Sequence, residues 1–181
     1  MELNEPVKLN EYTGKCPVCG GEMIYSEYIY RIPFYETILI TVGECRSCGY
    51  KYRDVGLVEQ KEPRRIVYRV EKPGDERALV IRAAGSRLVI PELDLSIEPG
   101  PLSQGFISTV EGIIMDFMEK IRFLCESEER GEECKRILDE LAKAKDGMIS
   151  YTVIIEDWRG LSNIVSEKTV YEKLEDTSRS L

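Results

Sequence analysis

Four of the chain's six cysteines form two C-x-x-C pairs, Cys16 with Cys19 in CPVCGG and Cys45 with Cys48 in CRSCGY. Each pair offers two thiolates on a tight turn, and the glycine that follows accommodates a backbone able to aim amide N–H groups at sulfur. Two such turns complete a tetrahedral shell, the arrangement of structural zinc with Zn–S distances of about 2.3 Å. Four sulfurs satisfy the metal and leave no open position for water or substrate, whereas catalytic zinc keeps one free. The expected cofactor is therefore one structural zinc ion, although the same ligand set also accepts iron and spacing does not separate the two metals. A thioredoxin-like redox pair would place one C-x-x-C at the start of a helix within a βαβ unit, and here both pairs lie in strand-like sequence. The sequence contains no histidine, which excludes Ser-His and Cys-His triads and removes the commonest general base near neutral pH.

Cys125 and Cys134 need a separate explanation. They fall at the facing ends of two helical segments, and two states fit: buried free thiols, the cytosolic default, or a disulfide of the kind found inside hyperthermophiles. Glu92 and Asp94 lie two apart in strand-like sequence, a spacing that would put both carboxylates on one face and supply a carboxylate-centred enzyme site, although solvated strand edges look the same.

The 181 residues carry a formal charge of -8, which opposes binding to phosphate backbones, so nucleic acid is a disfavoured partner. Residues 64–87 run against that balance with Arg64, Arg65, Arg69, Lys72, Arg77, Arg82 and Arg87, a local basic run that would suit an adaptor docking on ribosomal RNA or a transcription or translation complex. No apolar run approaches the roughly 18 residues that cross a bilayer, and the N-terminus lacks the basic and apolar regions of a secretory signal, so the expected location is the cytoplasm. Few Asn and Gln beside abundant Glu, Lys, Arg, Ile and Val fit a thermophilic source.

The elements that would position the cysteines follow from periodicity. Between the knuckles, EMIYSEYIYRIPFYETILITVGE alternates and is rich in Tyr, Ile and Thr, which predicts hairpin strands broken at Pro33. The tip carries Ile32, Phe34 and Tyr35, which either pack on the neighbouring domain or form a partner-binding patch. GYKYRDVGLV continues as a strand, and the polar connector at 59–65 marks the expected boundary between a zinc-finger module at 1–58 and a second domain at 59–181. RRIVYRVEK, RALVIRA and SRLVIPELDLSIE are three strand candidates with antiparallel turn chemistry between them, Ile66, Tyr68 and Val70 on one face and Val67 and Arg69 on the other. Ser108 and Glu111 fit a capping box ahead of the apolar stripe Val110, Ile113, Ile114, Phe117, Met118, Ile121, Leu124 and Cys125. A second stripe from Cys134 to Ala142, stopped by Gly147, completes a helical hairpin at about 109–146. Strand character returns at 150–170 around DWRG, and the last residues read as a short helix or a frayed end. The expected architecture is mainly β with α: a zinc-ribbon-like hairpin module, then an antiparallel β domain carrying the helical hairpin.

The stretches CPVCGG, RIPFYETILITVGECRSCGYKYRDV, LVIPELDLSIEPG, GFISTVEG and IIEDWRGLSNIV resemble the ZPR zinc-finger family from about residue 16 to residue 163. Eukaryotic members carry two copies of the unit, and this chain has one, as single-unit archaeal members do. The resemblance implies a four-cysteine zinc finger followed by a β domain of double-stranded β-helix or sandwich type with a helical hairpin. It also implies a non-enzymatic chaperone or assembly factor that binds translation elongation factor 1-alpha. The surfaces that would serve such a partner are Ile32, Phe34 and Tyr35 on the finger, with Pro91, Glu92, Glu98, Thr109 and Glu111 on the β domain. Glu111 also has the capping-box role as a sufficient local reason.

Overall fold

The structure, a computed structural model, describes residues 5–32, 36–125 and 131–174. Its first sheet is an antiparallel meander of β1 (Val7–Lys15), β2 (Glu22–Arg31), β3 (Thr37–Cys45) and β4 (Lys51–Leu57) in that spatial order. The alternating stretch between the knuckles forms the central pair. Strand β1 escapes sequence reading, because its side chains are exposed on both faces and carry no burial period. Its register slips between Lys8 and Asn10, and a bulge of this kind discourages further pairing at a free edge.

The remaining strands are β5 (Arg64–Val70), β6 (Leu79–Arg82), β7 (Arg87–Ile90), β8 (Leu95–Ile97), β9 (Phe106–Thr109), β10 (Tyr151–Asp157), β11 (Asn163–Val165) and β12 (Val170–Lys173). They build a five-stranded sheet ordered β12-β5-β10-β7-β8 and a three-stranded sheet ordered β11-β6-β9. The expected pairing of β5, β6 and β7 in sequence order does not occur: β5 pairs with β10 and β12, β6 with β9 and β11, and β7 with β10 and β8. The turns at PGDE and AG carry the chain from one sheet to the other instead of closing hairpins. SRLVIPELDLSIE is likewise not one strand. A 3-10 turn over Pro91–Leu93 folds β8 back on β7, with Asp94 at φ 52°. Of the last residues, read as a short helix or a frayed end, 171–173 belong to β12 instead, and residues 175–181 lie outside the described residues.

The predicted faces of β5 hold, with Ile66, Tyr68 and Val70 buried and Arg69 exposed. They join Val80 and Ile164 of the small sheet, Leu88, Ile90, Tyr151, Val153 and Ile155 of the large one, and one face of each helix in a single core. The helices are α1 (Val110–Cys125) and α2 (Gly131–Lys145), at the expected place. The cap of α1 sits one residue later than the predicted box. Thr109 is the N-cap, its Oγ1 accepting from the Gly112 N–H at 3.0 Å, and glycine at the third helical position rules out the reciprocal Glu contact. A Cβ at Gly112 would stand 2.4 Å from Ser108 Oγ. At the other end of the hairpin a disulfide joins Cys125 to Cys134, Cα atoms 6.1 Å apart.

The finger sheet leans on the β domain through a second, small core of Ile38, Val55, Leu57 and Ile81, with Tyr30, Ile32, Ile40 and Val165 packed around it. Burying each of the four central side chains favours the docked state by about 1.5–3 kcal/mol. Backbone bonds reinforce the seam: Leu57 N–H to Leu161 O at 2.8 Å, Lys61 N–H to Gly160 O at 2.9 Å and Gly105 N–H to Arg53 O at 3.2 Å.

Candidate metal centre and the surfaces around it

Each knuckle is the tip of a hairpin. Residues 16–21 join β1 to β2 and residues 46–50 join β3 to β4, the flanking pairs being Lys15 with Glu22 and Glu44 with Lys51. The two tips meet because the β2–β3 register sets Met23 opposite Cys45. Both turns have the same backbone. Gly20 N–H donates to Cys16 O and Gly49 N–H to Cys45 O, each at 2.9 Å, with the glycines at φ 72° and 74°. That left-handed backbone favours glycine, which explains why one follows each second cysteine.

The four sulfurs lie within 4.8 Å of one another, Cys16 to Cys48 at 3.7 Å and Cys19 to Cys45 at 3.5 Å. A tetrahedral shell with Zn–S of about 2.3 Å requires S–S separations of about 3.8 Å, so the sulfurs fit one ion. Cys16 and Cys45 are buried behind fully buried Met23, with Tyr25, Tyr50 and Tyr52 packed against them, while Cys19 and Cys48 face solvent. Amide N–H groups aim at sulfur as anticipated. That of Cys48 is the largest influence on the Cys45 thiol, which is lowered to about 6 with help from the Ser47 amide and the neighbouring thiols against burial. The Tyr50 amide favours the Cys48 thiolate, but Cys19, burial, Cys45 and Cys16 together outweigh it and push that thiol up to about 12. Uncompensated thiolates this close repel one another, and a divalent cation removes the conflict.

A cross-strand row of Tyr12, Tyr25, Gly43 and Tyr52 runs beside the metal centre on one face of the finger sheet. Tyr12 and Tyr25 stack at 5.3 Å, and Tyr52 meets Tyr25 edge-on at 6.0 Å. Gly43 makes the row possible, since a Cβ there would stand 2.9 Å from the Tyr25 ring. In the next row Asp54 ties the finger to the β domain: its Oδ1 accepts from the Ala84 and Val55 N–H groups at 2.8 Å each, and its Oδ2 from the Tyr52 hydroxyl at 3.3 Å. Burial, with the Asp54 charge, pushes the Tyr52 hydroxyl up to about 12.

The other residues read from the sequence fall at separate places. Ile32 packs on the small core at the seam, and Phe34 and Tyr35 lie outside the described residues. Glu92 accepts from the Thr152 N–H at 3.0 Å and the Thr152 hydroxyl at 2.8 Å, which locks the Pro91–Leu93 turn onto β10. Glu98 holds Arg87 through two bonds of 2.9 and 3.0 Å. Thr109 is occupied in capping α1, and Glu111 lines a shallow cleft with Gly74, Glu76 and Lys145. Pro91 is exposed at the start of its turn. The strand expected to present Glu92 and Asp94 on one face is the 3-10 turn and its left-handed end, so the paired-carboxylate geometry is not formed.

The basic run is also dispersed. Arg64 donates to Ser162 O and lies over the Tyr171 ring, Arg65 pairs with Glu172, Arg69 with Glu71, and Arg77 with Glu76. Arg82 is 1% exposed and donates to the Gln104 and Ser86 carbonyls. Periodicity reads DWRG as a simple turn and misses Asp157. This buried carboxylate accepts from the N–H groups of Arg159 and Gly160 through Oδ1, and of Leu161 and Ser162 through Oδ2, shaping the loop that meets the finger. Asp shortly before Arg-Gly is the available signal, as Asp readily bonds to the backbone just downstream.

A closed four-cysteine ribbon docked on a two-sheet β domain with an inserted helical hairpin defines a zinc-finger and jelly-roll protein. Residues 9–61 match the ZPR1 zinc-finger domain and residues 74–179 the ZPR1 jelly-roll domain. The chain belongs to the ZPR1 family, as a member with one such unit, and its metal is a single structural zinc. It is 34% identical over 179 residues to an uncharacterized ZPR1-like protein of Pyrococcus horikoshii, covering 94% of this chain and 80% of that one. A ZPR1-like protein of Methanocaldococcus jannaschii is 31% identical over 166 residues, covering 89% and 84%. The zinc finger chaperone of Schizosaccharomyces pombe is 26% identical over 163 residues, 85% of this chain but 34% of that longer protein. Strand β5 lies between the two matched ranges. Among the described residues no helix is long and apolar enough to cross a membrane.

Proposed function

We propose that this chain is a zinc-stabilised binding protein of the cytoplasm that engages translation elongation factor 1-alpha and assists its folding or assembly, with no reaction of its own. The observation that carries this reading is the closed sulfur shell: four ligands within 4.8 Å of one another spend the metal on architecture and leave it no substrate position. The name of the fission-yeast relative, a zinc finger chaperone, supports a role in handling another protein. The finger tip at Ile32, Phe34 and Tyr35, and the β-domain positions Pro91, Glu92, Glu98, Thr109 and Glu111, are the first places to substitute. Glu111 has the most freedom of the acidic positions, since Glu92 and Thr109 already hold local structure and Glu98 pairs with Arg87. A refolding assay tests the reading: denatured elongation factor 1-alpha from the same organism is diluted with and without the zinc-loaded protein, and GTP-binding factor is counted. A higher native yield with the protein supports it, and an unchanged yield with no measurable association contradicts it. The alternative of an RNA-docking adaptor is weakened by the ion pairing of the basic run and is read out separately by salt-dependent RNA retention on a filter.

A further inference from the structure

Between the tyrosine row of the finger and the loops of the β domain lies a cleft of about 490 Å³. Tyr12, Tyr25 and Tyr52 form one side of it, and Leu39, Leu161 and Pro101 add apolar surface. The charges that line it are not equivalent. Asp54 is committed to Ala84, Val55 and Tyr52, and Glu27 stands near the Tyr12 hydroxyl, which burial and then the Glu27 charge raise above its ordinary pKa. Lys15 and Arg159 also line the cleft, are exposed, and have no ion-pair or hydrogen-bond partner for their side chains among the described residues. In a protein of formal charge -8, two uncommitted cations flanking an aromatic wall form a local exception to the overall field.

We propose that this cleft is a peptide-binding site for an extended segment of a partner protein in which a large apolar side chain is flanked by carboxylates. The apolar side chain lies against the tyrosine row and Leu161, where ring faces and edges give contact area at little cost in side-chain entropy. The flanking carboxylates pair with Lys15 from the finger and Arg159 from the β domain, one from each side of the seam. A mononucleotide fits less well: Tyr25 already spends one face on Tyr12 and meets the edge of Tyr52, which leaves no slot between two rings for a base. The inference rests on the reading of the chain as a protein-binding protein but not on the identity of its client.

The test uses the full zinc-loaded chain and a fluorescein-labelled octapeptide of alternating aspartate and phenylalanine, followed by anisotropy. Saturable binding is expected, weakening with salt as charge pairing is screened. The Lys15→Glu/Arg159→Glu double variant should bind roughly tenfold more weakly or worse, through reversal of the two charges. Lys135→Glu/Lys143→Glu, an equal charge reversal on α2 outside the cleft, should bind as wild type, and zinc content and melting temperature certify that each variant is folded. The same peptide with lysine for aspartate, or alanine for phenylalanine, should bind poorly. Absence of saturable binding, indifference to the double reversal, or equal binding of the lysine peptide overturns the proposal, as does tighter binding of GTP at the same residues. Capture of elongation factor 1-alpha that survives the double reversal while peptide binding is absent overturns the cleft and leaves the client standing. Peptide binding by a protein that captures no factor keeps the cleft and overturns the client.

Discussion

Replacing Gly105 with alanine should loosen the seam that joins the finger to the β domain. A Cβ built there would stand 2.2 Å from Asp54 Oδ1, 2.7 Å from Val55 N and 2.9 Å from Arg82 O. Two of those atoms are backbone, and the third belongs to a carboxylate fixed by the Ala84 and Val55 N–H groups. None is the free end of a flexible chain, so the methyl must displace the loop or Asp54. Overpacking of this kind costs about 1–3 kcal/mol. If Asp54 moves, the Ala84 N–H is left with solvent in place of a charged acceptor, for about 1 kcal/mol more. The sum, about 2–4 kcal/mol, corresponds to a fall in melting temperature of roughly 5–15 °C for a chain of this size. At Gly100 a Cβ would meet nothing within 4 Å, so Gly100→Ala is the matched control with a change of about 0.5 kcal/mol or less. Urea denaturation at pH 7 with zinc present measures both, and the rate of zinc transfer to a chromogenic chelator shows whether the loosened seam also exposes the finger. A Gly105→Ala protein as stable as Gly100→Ala would refute the reasoning, because it would mean that the loop and β4 are not pressed together as described.

Metal removal should act on the whole chain. Structural zinc contributes on the order of 10–16 kcal/mol to the folding of finger peptides, so EDTA should lower the melting temperature sharply, and Cys45→Ser should purify with far less than one zinc, as mass spectrometry of the metal would show. The acid limb of stability should depend on Asp75, held below the usual carboxylate range first by Lys168 Nζ at 2.6 Å and then by the Glu71 N–H. A carboxyl with a depressed folded pKa contributes in full above its unfolded value of about 3.8 and loses that contribution as pH falls through the folded value. Asp75→Asn should therefore cost about 1–2 kcal/mol at pH 7 and nothing at the bottom of an acid titration, whereas a constant difference at every pH would contradict the linkage. Cys125→Ser/Cys134→Ser should lower stability by about 2.6 kcal/mol on the chain-entropy estimate for a separation of 9 residues. Thiol counting on denatured, unreduced, zinc-stripped protein should find four thiols, and six would contradict the bridge.

What is legible in the chain is what short spacing determines. The cysteine ligands follow from two C-x-x-C turns, the helical hairpin from its apolar stripes, and the inward face of β5 from strict alternation. Sheet pairing is not legible. β5 meets β10 across eighty intervening residues, and no local signal distinguishes a turn that closes a hairpin from one that crosses between sheets. The cap of α1 is misplaced by sequence reading because Ser108 and Thr109 are adjacent and both can cap, and only the end of β9 decides between them. Strand β12 looks like a fraying helix because all of its side chains are exposed, so its backbone bonds to β5 are what define it. Glu92 reads as a solvated strand edge and Asp157 only as part of a turn until their backbone partners come into view.

The central claim is that the metal has finished its work once the chain is folded and that function resides in binding another protein. The most direct measurement is affinity capture from the native extract with zinc retained, followed by mass spectrometry of what elutes. Elongation factor 1-alpha, enriched over a capture with the zinc-stripped protein, is the predicted result. A capture in which that factor is no more abundant than in the zinc-stripped control would contradict the account.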